Sequence, residues 1–239
     1  MKIHLVFHDI LENEKDIKRK IDISFSYLRS LVEALNRNLA EDTLPFSSYC
    51  LHFDEGYSSF KERVFPYLQK MQVNEVLLAI RANGIGKPGY LTEDDLRFFD
   101  LNAKQMPKTT IAAHSVSHPA LAQKDVPTPK GGIYQDRSFG EDLLLSEQEV
   151  YFQMNESKRK LEQILNHEVK EFVLPFGAYN QTTLAINEEH KLFTTLYAAT
   201  NQLDSNEELV HPTFDIFNRR TVQETIEILQ SLKPQKSSQ

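Results

Sequence analysis

The chain has 239 residues, 40% of them hydrophobic, and a formal net charge of −7. That length suits one domain with a full core, and the composition excludes a collagen-like, disordered or disulfide-built chain. The acidic balance speaks against a nucleic-acid groove, and the single cysteine, Cys50, excludes an internal disulfide and fits a reducing compartment.

In chain order, short β-like runs alternate with helical patterns. IHLVF (3–7), YCLHF (49–53), EVLLAI (75–80), TTIAA (109–113), EFVL (171–174) and TTLYAA (194–199) read as strands. Several are apolar on both faces, as in a parallel sheet buried between layers. Between them, residues 22–38 carry Tyr27, Leu28, Leu31, Val32 and Leu35 at helical spacing. Ser59 with Glu62, Ser146 with Glu149 and Thr221 with Glu224 match capping boxes that open three further helices, the first interrupted by Pro66. Residues 82–92 and 123–142 read as loops, and 233–239 as a disordered tail after a single domain over 1–232. The start MKIHLVFHDI has too short an apolar run for a signal-peptide core, and no stretch reaches the roughly 18 apolar residues of a membrane span. The expected location is cytoplasmic.

Alternating β and α elements imply an α/β fold with a parallel sheet or barrel, whose site lies at the carboxyl ends of the strands. Polar or turn-forming residues stand at four such ends: His8, the pair Asp54-Glu55, His114, and Pro175-Phe176. Two adjacent carboxylates can mark a solvated turn or a helix cap. They can also divide labour, one binding a metal while the other takes a proton from water. His114 and His118 are four apart in AAHSVSHPAL, and Pro119 makes a ligand-bearing loop a better reading than a helix. Two imidazoles and a carboxylate suit a divalent metal, zinc above all, although HxxxH alone also occurs in surface and capping roles.

Three stretches together resemble the NodB-type polysaccharide deacetylases. HFDEGYSSFKERVFPYLQK resembles their TFDDGY motif, HSVSHPAL their H-S/T-x-x-H-P motif, and FVLPFGAYN the "YPFG-x-YN" form of a third. The resemblance spans roughly residues 3 to 230. It implies a distorted (β/α) barrel and a metal-dependent hydrolase that removes N-acetyl groups from N-acetylhexosamine units. Carried over by position, Asp54 is the catalytic base, and Glu55, His114 and His118 are the ligands of a divalent metal, zinc by preference. Pro175, Phe176 and Gly177 line the substrate groove. FHDI (7–10) resembles the "YH" motif of one branch, which makes His8 the general acid, with His211 of LVHP the second candidate. Arg219 of FNRRTV resembles an arginine that would pair with Asp54. Tyr57 is expected to offer its backbone N–H to the oxyanion, and Tyr57, Tyr90, Tyr134, Phe176 and Tyr179 are candidates for stacking on sugar faces. Glu55 replaces the family's second aspartate, which lengthens a metal ligand by one methylene.

The implied substrate is an N-acetylated sugar or glycolipid, a cell-surface polysaccharide or lipopolysaccharide-type precursor, with peripheral contact to a lipid-linked acceptor. Alternatives are an amidohydrolase on a non-sugar amide, working without metal, and a non-catalytic carbohydrate-binding homologue. The sequence does not set the oligomeric state.

Overall fold

The computed structural model describes residues 1–102, 107–122, 145–199 and 209–232. Tyr134, the 123–142 loop and the 233–239 tail therefore lie outside the described residues. Seven strands close a parallel barrel: β1 (Lys2–Phe7), β4 (Ser48–Phe53), β5 (Glu75–Ile80), β6 (Lys108–Ala113), β7 (Glu171–Val173), β8 (Thr195–Ala199) and β9 (Val210–Asp215). The last strand pairs with the first, Leu5 against Phe214 and Val6 against Asp215. β2 (Ile10–Leu11) and β3 (Ile23–Ser24) form a separate two-stranded sheet. The helices are α1 (Phe25–Ala40), α2 (Phe65–Lys70), α3 (Glu93–Leu101), α4 (Glu147–Leu165), α5 (Gln181–His190) and α6 (Val222–Ser231). None of the described helices is long and apolar enough to cross a membrane.

The pleat of each strand sends alternate side chains to opposite faces. On β1, Ile3, Leu5 and Phe7 join the large core between barrel and helices, as do Leu51 and Phe53 of β4 and Phe172 of β7. The other parity faces the barrel lumen, where Cys50, Leu77, Ala79, Ala112 and Val173 pack together with Tyr197. The strands are thus covered on both faces, which explains their nearly continuous apolar runs.

The capping boxes at Ser146 and Thr221 form as the sequence predicts. Two more, at Thr92 and Asn180, open α3 and α5, which the apolar periodicity does not reveal. At Ser59 the expected box is absent. The Ser59 hydroxyl accepts from the Ile10 N–H at 3.3 Å, and the chain makes a wider π-type turn over Phe60–Val64 before α2 begins at Phe65-Pro66. Pro66 therefore sits in the first turn of α2, directly after the π-type turn, where its missing N–H is not needed.

Phe172 is fully buried between barrel and helices and packs its ring 4.8 Å from that of Phe193. Phe172→Ala is expected to cost about 3–5 kcal/mol of unfolding free energy in denaturant titrations. A loss under about 1 kcal/mol would show that the outer core collapses around the gap.

Candidate active site

The carboxyl ends of the strands open into one cavity of about 540 Å³. His8 enters it from the end of β1, Asp54 and Glu55 from β4, His114 and His118 from β6, Phe176 and Gly177 from β7, and Asp215 from β9. Four of these are polar groups taken almost wholly out of water: Asp54 at 5%, Glu55 at 6%, His114 at 1% and Asp215 at 3% exposure.

Turn geometry explains how neighbours in sequence reach one point. The Asp54 N–H donates to the Phe7 carbonyl at 2.8 Å, so the extended chain persists through Asp54. The next two residues then take positive φ, +74° at Glu55 and +77° at Gly56. This reversal brings the Glu55 carboxylate back to within 3.6 Å of His118 Nε2, although adjacent side chains on a straight strand diverge. After β6, Ser115 and His118 also adopt positive φ, and the Ser115 hydroxyl accepts from the His118 N–H at 2.8 Å. Gln153 of α4 accepts from the N–H groups of Val116 and Ser117, both at 3.0 Å, and so anchors the histidine loop. After β7, Phe176 and Gly177 take φ of +59° and +63°. A Cβ on Gly177 would lie 2.8 Å from the Ala199 nitrogen, so only glycine allows this approach. The Phe176 ring meets His118 edge-on at 4.5 Å.

Around this cavity stand several buried atoms without hydrogen-bond partners: His8 Nδ1, Asp54 Oδ1, Glu55 Oε2, Arg81 Nε, His114 Nε2 and Asp215 Oδ2. Buried polar groups are normally paired, so such a concentration marks a place built to receive something else. The donor set suits a divalent cation. His114 Nδ1 faces the Val173 carbonyl at 2.8 Å, the arrangement that fixes a ligating imidazole and leaves Nε2 free. His114 Nε2 lies 3.9 Å from Asp54 Oδ2, and the two histidine rings are 4.6 Å apart. Burial lowers His114 to about 3 and His118 to about 4, the neutral form a metal requires. Burial, then Asp215 and Glu55, raise Asp54 well above the usual carboxylate range, and burial raises Asp215 to about 7. A cation would relieve both. One contact opposes this: Arg81 Nη1 lies 2.9 Å from Glu55 Oε2, an ion pair without the alignment of a hydrogen bond. Glu55, His114 and His118 do not form a closed trio of donor atoms within 4.8 Å of one another.

Of the residues the sequence points to, His8, Asp54, Glu55, His114, His118, Phe176 and Gly177 share the cavity lining. Pro175 is buried behind it, and Tyr179 is a core residue at 6% exposure. Tyr57 is stacked on Tyr90 at 5.1 Å and bonded through its hydroxyl to Arg19 at 2.9 Å; neither tyrosine is part of the lining. Arg219 is exposed and does not border the cavity that holds Asp54, so the expected pair is not made. His211 is exposed and stands two strand positions below Thr213 on β9, away from the lining. Asp215 and Arg81 are absent from the sequence reading. Pro212 hid β9, yet His211, Thr213 and Asp215 share one parity, the signal that could have revealed it. A protonated resting His8 is not favoured either: burial, then His114 and Arg19, lower its pKa.

Asp215 supplies a test of these electrostatics. Its folded-state pKa lies above its unfolded value, so the folded protein binds the extra proton and loses stability as pH rises through about 7. In chelator-treated protein, Asp215→Asn should melt several degrees above wild type at pH 8, with the gap closing as pH falls toward 4. A gap independent of pH would refute the assignment.

Residues 41–194 match the family model for polysaccharide deacetylase. A de-N-acetylase from Aggregatibacter actinomycetemcomitans superposes with a TM-score of 0.71 at 14% identity, covering 95% of this chain and 99% of that one. IcaB from Ammonifex degensii gives 0.66 at 16% identity, covering 96% and 97%. The Streptococcus pyogenes deacetylase PplD, solved with acetate, gives 0.65 at 18% identity, covering 97% and 98%. Comparison with curated proteins gives no match. At these identities the structural likenesses establish the barrel, and the family model, which spans more than half the chain, establishes the rest: the chain belongs to the polysaccharide deacetylase family and is a deacetylating hydrolase of carbohydrate.

Proposed function

We propose that the protein is a metal-dependent N-deacetylase acting on N-acetylhexosamine units of a glycan or glycolipid precursor. The observation that carries this reading is the meeting of Asp54, Glu55, His114 and His118 in one cavity with partnerless ligand atoms. About 540 Å³ is room for one sugar unit and its acetamide. A divalent ion held by His114, His118 and Glu55, zinc by donor type, would supply Lewis acidity for the acetamide carbonyl and the attacking water.

The chain's own groups then handle the protons. Asp54 accepts one from the water as its oxygen adds to the acetamide carbon. His8, neutral at rest, takes up a proton during the reaction and passes it to the leaving nitrogen. Water's two protons end on the amine and its oxygen on the acid, giving acetate and an ammonium-bearing sugar.

The Arg81–Glu55 pair favours a second reading, a metal-free amidohydrolase in which the arginine occupies the cation's place. Metal content separates the two. Wild type purified without chelator should hold about one divalent ion per chain, lost in His114→Ala. Asp54→Asn should keep the ion and lower acetate release from N-acetylglucosamine oligomers by about 10²–10⁴-fold. Arg81→Gln should tighten metal binding about tenfold by freeing Glu55. Full activity with no metal in wild type would favour the second reading.

A further inference from the structure

One layer below the acetamide pocket, the lumen holds a second cluster that deacetylation does not use. β4 turns Cys50 and His52 inward in the same parity as Asp54, and β1 turns His4 toward them, with His4 paired to Cys50 in register. One donor atom from each of His4, Cys50 and His52 lies within 4.8 Å of the other two. His4 Nδ1 and His52 Nε2 are 2.7 Å apart, with the rings edge-on at 4.9 Å. His52 is fully buried, and its Nδ1 has no partner. Tyr197 packs on the same cluster, its ring 5.1 Å from that of His4 and 4.9 Å from that of His52, and Leu77, Ala79, Ala112 and Val173 line the rest of it.

A barrel core of this kind is normally filled with aliphatic side chains. Two imidazoles and a thiol packed against Leu77, Ala79, Ala112, Val173 and the Tyr197 ring lose hydration, and the hydrogen bond between the rings restores only part of it. We propose that His4, Cys50 and His52 form a second metal site, of the zinc type, inside the barrel and separate from the deacetylase pocket. Two nitrogens and one sulfur match the ligand preference of zinc, and the ion would take the place of the proton shared by the two rings. On a tetrahedral ion with bonds of about 2.0–2.3 Å, the two nitrogens would stand roughly 3.3 Å apart, a small opening from the present contact. Binding releases one proton: the Cys50 thiol becomes a thiolate and its proton goes to solvent, while the proton between the rings moves to the far nitrogen of its own imidazole, so that both imidazoles stay neutral. His4 and Tyr197, both only partly buried, lie on the solvent side of the cluster. The ion would tie β1 to β4, the two strands that present His8 and Asp54.

Cobalt provides a readout that the deacetylase pocket cannot give. Cys50 is the only cysteine, so a thiolate-to-cobalt charge-transfer band in the near ultraviolet reports this site alone. Chelator-treated full-length protein is titrated with Co²⁺ and then with Zn²⁺. The band should grow to about one equivalent in wild type and equally in His114→Ala, and zinc should abolish it. It should be absent in Cys50→Ser and strongly reduced in His4→Gln and His52→Ala, with circular dichroism used to show that each variant is folded. His4→Gln, at the less deeply buried of the two histidine positions, serves as the variant least disturbing to the core. No band in wild type overturns the proposal, as does a band that survives unchanged in both histidine variants. Loss of the band in His114→Ala would also overturn it, because the two sites would not be separate. Failure of the deacetylase assay leaves this result unaffected.

Discussion

Three carboxylates buried at one end of a barrel set the terms for the rest of this structure. Asp54, Glu55 and Asp215 lie within one cavity, each nearly out of water; Arg81 pairs with Glu55, and Arg19 and Lys20 border the same cavity. Like charges in a low-dielectric site cannot all stay ionised without a compensating cation. Burial is the largest cause of the shifts here, upward at Asp54 and Asp215 and downward at His114 and His118, and the like charges of Asp215 and Glu55 push Asp54 up further. A scaffold that tolerates this must be rigid elsewhere, and the closed parallel barrel with its double-sided core provides that rigidity.

The same demand appears in the backbone. Of the non-glycine residues with positive φ, Glu55, Ser115, His118 and Phe176 all stand at this site. Each costs of order 1–3 kcal/mol unless its surroundings dictate it. Here they do: Gly56 fits against Ile80, Gln153 fixes the loop between the histidines, and Gly177 allows the approach to Ala199. The strain converts strand ends, whose side chains would alternate outward and inward, into a ring of groups aimed at one volume. Gln153 is a helix residue with no chemistry of its own, yet the position of His118 depends on it.

Much of this was legible in the sequence, and the failures have physical causes. The strands from β1 to β8 that build the barrel stand out because a buried parallel strand is a short apolar run. The motifs around Asp54, His114 and Phe176 were readable because turn residues and ligands are adjacent in the chain. What stayed hidden depends on long-range contacts. Arg81 sits in a polar loop, and only the fold brings it to Glu55. Asp215 ends a strand disguised by Pro212. Arg219 and Tyr179 looked functional by motif, but one ended in solvent and the other in the core, since motif position does not fix the direction of a side chain. The Ser59 box failed because Ser59 already has helical backbone angles inside a turn that begins at Tyr57–Ser58, so its side chain cannot cap the N-terminus.

Strand parity connects the site to the rest of the lumen. Once Asp54 must face inward, the two-residue period of β4 sends His52 and Cys50 inward as well. A register slip of one residue would place Leu51 and Phe53 in the lumen and strip the outer core, so the two consequences cannot be separated. On β9 the same rule aligns Asp215 with Thr213 and His211. Aliphatic residues could fill these inward positions, as they do on β5 and β6 with Leu77, Ala79 and Ala112. On β1 and β4 they are instead His4, Cys50 and His52. The difference lies between strands of one barrel under one packing constraint, so packing alone does not account for it. The proposed second metal site would account for it.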